Sequence, residues 1–214
     1  MPPALLALAT SLVLGYLAGS LPWGLWLGRV LRGVDVRTLG SGNLGATNVY
    51  RELGAGIGIA TLLLDIAKGA VPTWFLPLTA LGPAFPGGSE WCRLCVGLAC
   101  VLGHVFTLFA GFRGGKGVAT TVGVLLAFSP PAFGVFVAVF LATVAVTRYI
   151  SLGSILASIA FAAVLAVVAP GGWRSPTFAV GALIALLVIA RHRGNIQRLM
   201  KCEERRFSLK GGRS

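Results

Sequence analysis

Seven apolar runs, separated by short breaks rich in glycine and arginine, fill most of this chain: residues 4–28, 54–81, 94–111, 117–128, 131–147, 152–169 and 176–190. Such runs leave little room for the polar face that a helix or strand in water requires. Only 11% of the 214 residues are charged, against about 25% in soluble domains, and the mean hydropathy is +0.87. The bilayer must therefore supply part of the solvent. Backbone polar groups in lipid pair within the protein, and long continuous runs favour helices over the short alternations of a barrel. A span takes about 20 residues, so 117–128 is too short to cross alone. It crosses with flanking residues buried in protein, or fuses with the next run around Pro130 and Pro131. The expectation is an all-α integral membrane protein of about seven transmembrane helices, with five or six as the fallback.

Cations set the orientation. Arg29, Arg32, Arg37 and Arg51 flank the first connection, Arg113 and Lys116 the third, and Arg148 the fifth, while the tail from about 191 holds eight more. The alternate connections hold only Arg93 and Arg174. Fifteen against two is a strong positive-inside asymmetry. It places the N-terminus outside and the C-terminus in the cytoplasm, as an odd number of crossings requires. A net charge of +12 suits nucleic acid too. Its distribution speaks instead for orientation and for contact with anionic headgroups or phosphorylated substrates, so no nucleic-acid partner is expected. The first run lacks a basic leader and carries Pro22, which makes it an uncleaved span rather than a signal peptide. Cys92 and Cys95 form C-x-x-C without a second pair of ligands, so neither metal nor cofactor is implied. The chain reads as one integral membrane domain, 1–214.

Three polar islands interrupt the apolar runs: GSGNLGATN at 40–48, FRGGKG at 112–117 and RHRGNIQR at 191–198. The first spells G-x-G-x-x-G but lacks the preceding strand of a dinucleotide fold. Its glycines still let backbone N–H groups approach an anion, and Ser41, Asn43, Thr47 and Asn48 add donors beside Arg51. A capped turn between helices uses the same residues. The second island misses the P-loop spacing, yet Gly115, Lys116 and their glycine neighbours form a strip able to grip one phosphate. A plain positive-inside loop is the alternative. In the third, His192 and Asn195 are three apart, so a continuing helix puts them on one face. Snorkelling interfacial cations would produce a similar pattern. The six acids include no H-x-x-x-x-D partner for either histidine, no two-metal cluster occurs, and there is no G-x-S-x-G elbow. Asp65 and Lys68, three apart within one run, should neutralise each other, and His104 should bond between helices.

GSGNLGATNVYR, GHVFTLFAGFRGGKGVAT and RHRGNIQRL closely resemble the three signature motifs of the bacterial acyl-phosphate-dependent glycerol-3-phosphate acyltransferase (PlsY) family. GSLP at 19–22, LDIAKG at 64–69 and RYISLGS at 148–154 add matches in family order. The resemblance implies a seven-helix bacterial inner-membrane enzyme with its site open to the cytoplasm. The implied reaction moves a fatty acyl group from acyl phosphate to the 1-hydroxyl of glycerol-3-phosphate, giving lysophosphatidate and phosphate. The family's functional positions fall on Ser41, Arg51, Lys116, Ser154, His192 and Asn195, with Asn43, Thr47, Asn48 and Gly115 inside the same motifs. Two departures stand out. Cys202 occupies a place where the family pattern has glycine, and Gly194 one where a polar residue is usual.

An acyl phosphate is already activated, so positioning and charge stabilisation are the main demands. Lys116, Arg51 and the glycine strips are expected to bind phosphate, Ser41 and Ser154 to orient donor oxygens, and His192 and Asn195 to place glycerol-3-phosphate. Either His192 or a substrate phosphate oxygen must accept the proton; the resemblance favours the substrate. The three islands are expected to meet in one cationic pocket at the inner leaflet. A carrier of organic phosphates is the main rival reading, and a structural scaffold leaves the islands without a role.

Overall fold

The structure is a computed structural model describing residues 2–208. No strand occurs among the described residues. The packing divides into two compact units, one running through Phe128 and one starting at Ser129. The first unit contains α1 (Pro3–Gly19), α2 (Trp23–Arg32), α3 (Ala46–Leu53), α4 (Ala55–Phe75), α5 (Leu81–Ala84), α6 (Gly88–Val105) and α7 (Val118–Phe128). The second contains α8 (Pro130–Thr147), α9 (Ile150–Val168), α10 (Pro176–Arg191) and α11 (Arg193–Met200).

In the first unit α1 packs on α6, and α4 packs on α7. Lipid removes the hydrophobic drive between helices, so close backbone approach through small residues must replace it. Both helices contribute a glycine at each crossing. A Cβ at Gly19 would strike the Cys100 backbone, and one at Gly103 would strike Tyr16. A Cβ at Gly69 would strike the Thr120 carbonyl, and one at Gly123 that of Ile66. Ser20 donates to the Gly103 carbonyl at 3.3 Å, and the Thr107 hydroxyl donates to the Ser20 carbonyl, stitching α1 to the end of α6. Gly123→Ala forces backbones apart and should cost about 1–3 kcal/mol. Thermal unfolding in detergent checks this, and an unchanged midpoint contradicts it.

The second unit packs α8 on α9 and α9 on α10. Phe136 lies 6.4 Å from Phe140 and 5.9 Å from Phe161, ring centre to ring centre, filling the α8–α9 seam.

Five helices are long and apolar enough to cross a bilayer, or six when the bent pair α10 and α11 counts as one. The fourth run becomes α7, whose 11 residues rise roughly 16 Å, about half the hydrocarbon thickness. Two boundaries differ from the sequence expectation. The first run is broken between Gly19 and Trp23, because Pro22 lacks an N–H and disfavours helical backbone at Leu21. α6 begins at Gly88 rather than 94. Its first turn carries Glu90, which suits the positive end of the helix but interrupts the apolar signal.

Candidate functional site

The first island folds around one amide. Asn48, buried at the start of α3, accepts from the Ser41 backbone N–H at 2.9 Å and from the Ser41 hydroxyl at 3.1 Å. Its Nδ2 donates to the carbonyls of Leu39 and Asn43, each at 3.1 Å, and of Val36 at 3.4 Å. Asn43 accepts from the Gly45 N–H at 2.8 Å. Asn48 and Asn43 therefore shape the loop, while Ser41 stands exposed at its rim. Gly40 and Gly42 take positive φ of 54° and 68°, which lets the chain double back. Leu44 and Val49 anchor the loop in a core with Leu25, Val36, Ile57 and Ala110. The loop ends at Gly45, which caps α3 without a side-chain bond. The α3 N-terminus, with Thr47 in its first turn and half-buried Arg51 in its last, thus offers partial positive charge. Upstream, Asp35 accepts from Arg37 Nε at 2.9 Å, Arg37 Nη2 at 2.6 Å and Arg29 Nη2 at 2.8 Å. The Arg37 guanidinium, with Arg29, holds the Asp35 carboxyl well below the usual carboxylate range despite partial desolvation.

The second island also leads into a helix. Gly117, with φ of 85°, accepts from the Thr121 N–H at 2.8 Å and opens α7. Lys116, half-buried, directly precedes it, and Gly115 is buried. Both strips of this unit therefore feed a helix N-terminus, the second with Lys116 beside it and the first with Arg51 in the last turn of the helix it opens. The intramembrane pair forms as expected: Lys68 Nζ lies 2.7 Å from Asp65 Oδ1, both buried. His104 sits at the end of α6.

In the second unit, His192 occupies a 56° bend between α10 and α11, so the helix does not simply continue through it. Its Nδ1 lies 2.7 Å from the Val188 carbonyl, which can only accept, so Nδ1 carries a proton and donates there. Asn195, buried in α11, donates Nδ2 to Glu204 Oε1 at 2.7 Å. Ser151 Oγ donates to the same oxygen at 2.7 Å, and Arg198 Nε donates to Oε2 at 2.8 Å. Burial works against the Glu204 charge, but these three donors outweigh it and hold the carboxyl below its ordinary value. Ser154 turns its hydroxyl back to the Ile150 carbonyl at 2.9 Å. Sequence reasoning missed Ser151 and Glu204. Ser151 was visible only as a second serine three residues before Ser154, and Glu204 only as an acid in a basic tail. Among the described residues no three His, Cys, Asp or Glu side chains gather to hold a metal ion.

Residues 9–202 match the family model for glycerol-3-phosphate acyltransferase. The chain belongs to the glycerol-3-phosphate acyltransferase family. A glycerol-3-phosphate acyltransferase of Geobacter sulfurreducens is 51% identical over 193 residues, covering 90% of this chain and 93% of that relative. One of Myxococcus xanthus is 46% identical over 196 residues, covering 91% and 97%. Among solved structures, PlsY (YgiH), an integral membrane glycerol 3-phosphate acyltransferase, is 38% identical in its glycerol 3-phosphate form. That likeness has a TM-score of 0.84 and covers 94% of this chain and 96% of that one. Its lysophosphatidic acid form gives a TM-score of 0.81.

This acyltransferase-family chain carries a local strain just past its third motif. Cys202, where the resemblance places glycine, takes a φ of 58° just past α11. A left-handed L-residue costs about 1–2 kcal/mol, partly offset by the entropy glycine loses on folding. Cys202→Gly is therefore expected to stabilise by up to about 1 kcal/mol. Thermal unfolding checks it, and a lowered midpoint contradicts it.

Proposed function

We propose that this chain transfers a fatty acyl group from acyl phosphate to the 1-hydroxyl of glycerol-3-phosphate, releasing lysophosphatidate and inorganic phosphate. The observation carrying this reading is the pair of glycine-rich strips, each feeding a helix N-terminus, with Lys116 beside the second and Arg51 in the last turn of the helix that follows the first. Such sites suit phosphate rather than a neutral ligand. The likeness to PlsY, solved with glycerol 3-phosphate and with lysophosphatidic acid, supports the substrate and the product.

In the proposed reaction the glycerol oxygen attacks the acyl carbonyl carbon, and the bond from that carbon to the bridging phosphate oxygen breaks. Lys116 and Arg51 neutralise phosphate charge, with the Thr47 turn supplying backbone donors and Gly115, whose own N–H is bonded to the His104 carbonyl, fixing the strip beside Lys116. Ser41 orients a donor oxygen at the loop rim, which Asn43 and Asn48 hold in shape. Ser154 is assigned to the acyl-donor side. Asn195 and His192 place the glycerol hydroxyl. His192 spends its Nδ1 proton on the Val188 carbonyl, a weaker partner for a general base than a carboxylate in that position would be. A phosphate oxygen of the substrate therefore takes the hydroxyl proton and leaves with it as inorganic phosphate.

The protein is read as one acyltransferase domain with seven crossings of a bacterial inner membrane: the five long helices, α10, and the short α7. Its N-terminus lies outside, and its site and C-terminus face the cytoplasm. The fifteen-to-two distribution of cations supports this orientation. Donor choice tests the reading. Purified protein should use acyl phosphate in preference to acyl-CoA or acyl carrier protein, and NMR of the product should find the acyl group at position 1. Preference for a thioester donor contradicts it.

A further inference from the structure

The Asp65–Lys68 pair and His104 have no part in the chemistry above, yet they lie directly beneath the second glycine strip. The strip folds back onto the end of α6. Gly115 N–H donates to the His104 carbonyl and Gly114 N–H to the Val105 carbonyl, each at 3.1 Å. A Cβ at Gly114 would strike the His104 carbonyl. One at Gly115 would strike the imidazole itself, at Nε2 and then Cε1. The ring has little room to yield. His104 is 6% exposed, and its Nδ1 lies 3.8 Å from Asp65 Oδ1. Asp65 is in turn paired with Lys68, whose Nζ donates to the Leu21 carbonyl at 2.7 Å. A small cleft bounded by Trp23, Leu44, Lys68, His104, Thr107 and Gly115 joins this platform to the first glycine loop. A buried ion pair contributes little stability of its own, and fixing a geometry is its better-attested use.

We infer that His104, backed by the Asp65–Lys68 pair, is a positioning residue whose ring is the platform under Gly115 and so sets where Lys116 meets phosphate. This rests on the proposed acyl-transfer reading. Removing the ring lets the strip sink, and a misplacement of about 1 Å can cost about 10²-fold in rate. The loss should appear in binding, because a phosphate clamp acts on the ground state as well. A purely structural role would instead lower the active fraction, reducing kcat at unchanged KM.

The test uses the full chain in detergent, with steady-state kinetics for acyl phosphate and glycerol-3-phosphate and calorimetric binding of glycerol-3-phosphate in parallel. His104→Ala should raise KM for at least one substrate about tenfold and lower kcat/KM about 10²-fold, with unaltered elution on size exclusion. His104→Gln, which keeps a polar side chain in the space, should recover part of the loss and supplies the reading if the alanine variant does not fold. Gly115→Ala should be impaired alone, and adding His104→Ala should cost less than the two separate losses combined. Unchanged KM and binding in both His104 variants, or losses that simply multiply in the double variant, overturn the inference. Wild-type protein that binds glycerol-3-phosphate but does not turn over acyl phosphate sinks the proposed reaction, while the binding data still decide the role of His104.

Discussion

Lys116→Ala is expected to fold normally and to lose about 10³-fold in kcat/KM, the upper end for removal of one preorganised electrostatic donor. Lys116 is only half-buried and lies in the loop two residues before α7, so truncation opens no core cavity. The loss follows from charge. The strip contains no acid, Gly115 and Gly117 flank Lys116 in the chain, and the α7 N-terminus two residues on adds partial positive charge. Backbone donors survive the substitution, so phosphate is still contacted but far less well neutralised as the acyl–oxygen bond breaks. Radiometric conversion of glycerol-3-phosphate checks the value. Activity within about tenfold of wild type would refute the clamp.

Glu204→Ala should lower stability by about 2–3 kcal/mol, because the hydroxyl of Ser151 and the amide of Asn195 lose a buried acceptor together. Arg198, 45% exposed in its side chain, can turn to water and adds less. Activity should fall beyond the loss of folded protein, since the bond from Asn195 fixes which way its amide faces. Glu204→Gln should lie between, as the amide oxygen still accepts from Ser151 and Asn195 while its NH2 opposes the Arg198 guanidinium. The pH dependence has a definite sign. The native carboxyl titrates below its ordinary value of 4.5, so its contribution is fully present above that value. It disappears as pH falls through the lower native pKa. Wild-type thermal midpoints should therefore drop more steeply on acidification than those of Glu204→Gln. Parallel curves for the two proteins contradict this assignment.

What the sequence revealed and what it concealed have distinct physical causes. Long apolar runs report burial in lipid directly, so most spans and the two loops feeding α3 and α7 were legible. The Asp65–Lys68 pair was legible because residues three apart on a helix are neighbours. Glu204 was not, because its partners lie 53 residues away at Ser151 and nine away at Asn195. Only the return of the tail joins them. Asn48 looked like a ligand donor by type, but its amide is spent on five contacts within the loop. Nor could spacing show that the histidine of α6 lies under a glycine eleven residues later, since that needs the turn at Thr107, where the Phe112 N–H donates to the Thr107 carbonyl at 2.8 Å. The bend at His192 was hidden because nothing in R-H-R-G-N resembles a proline break.

The decisive experiment gives purified, detergent-solubilised protein acyl phosphate and glycerol-3-phosphate, with no sealed compartment, and follows both products in time. Lysophosphatidate and inorganic phosphate should appear in equal amounts at an initial rate proportional to enzyme. Phosphate release without lysophosphatidate, or movement of glycerol-3-phosphate in vesicles with no acylation in detergent, would contradict the acyltransferase reading.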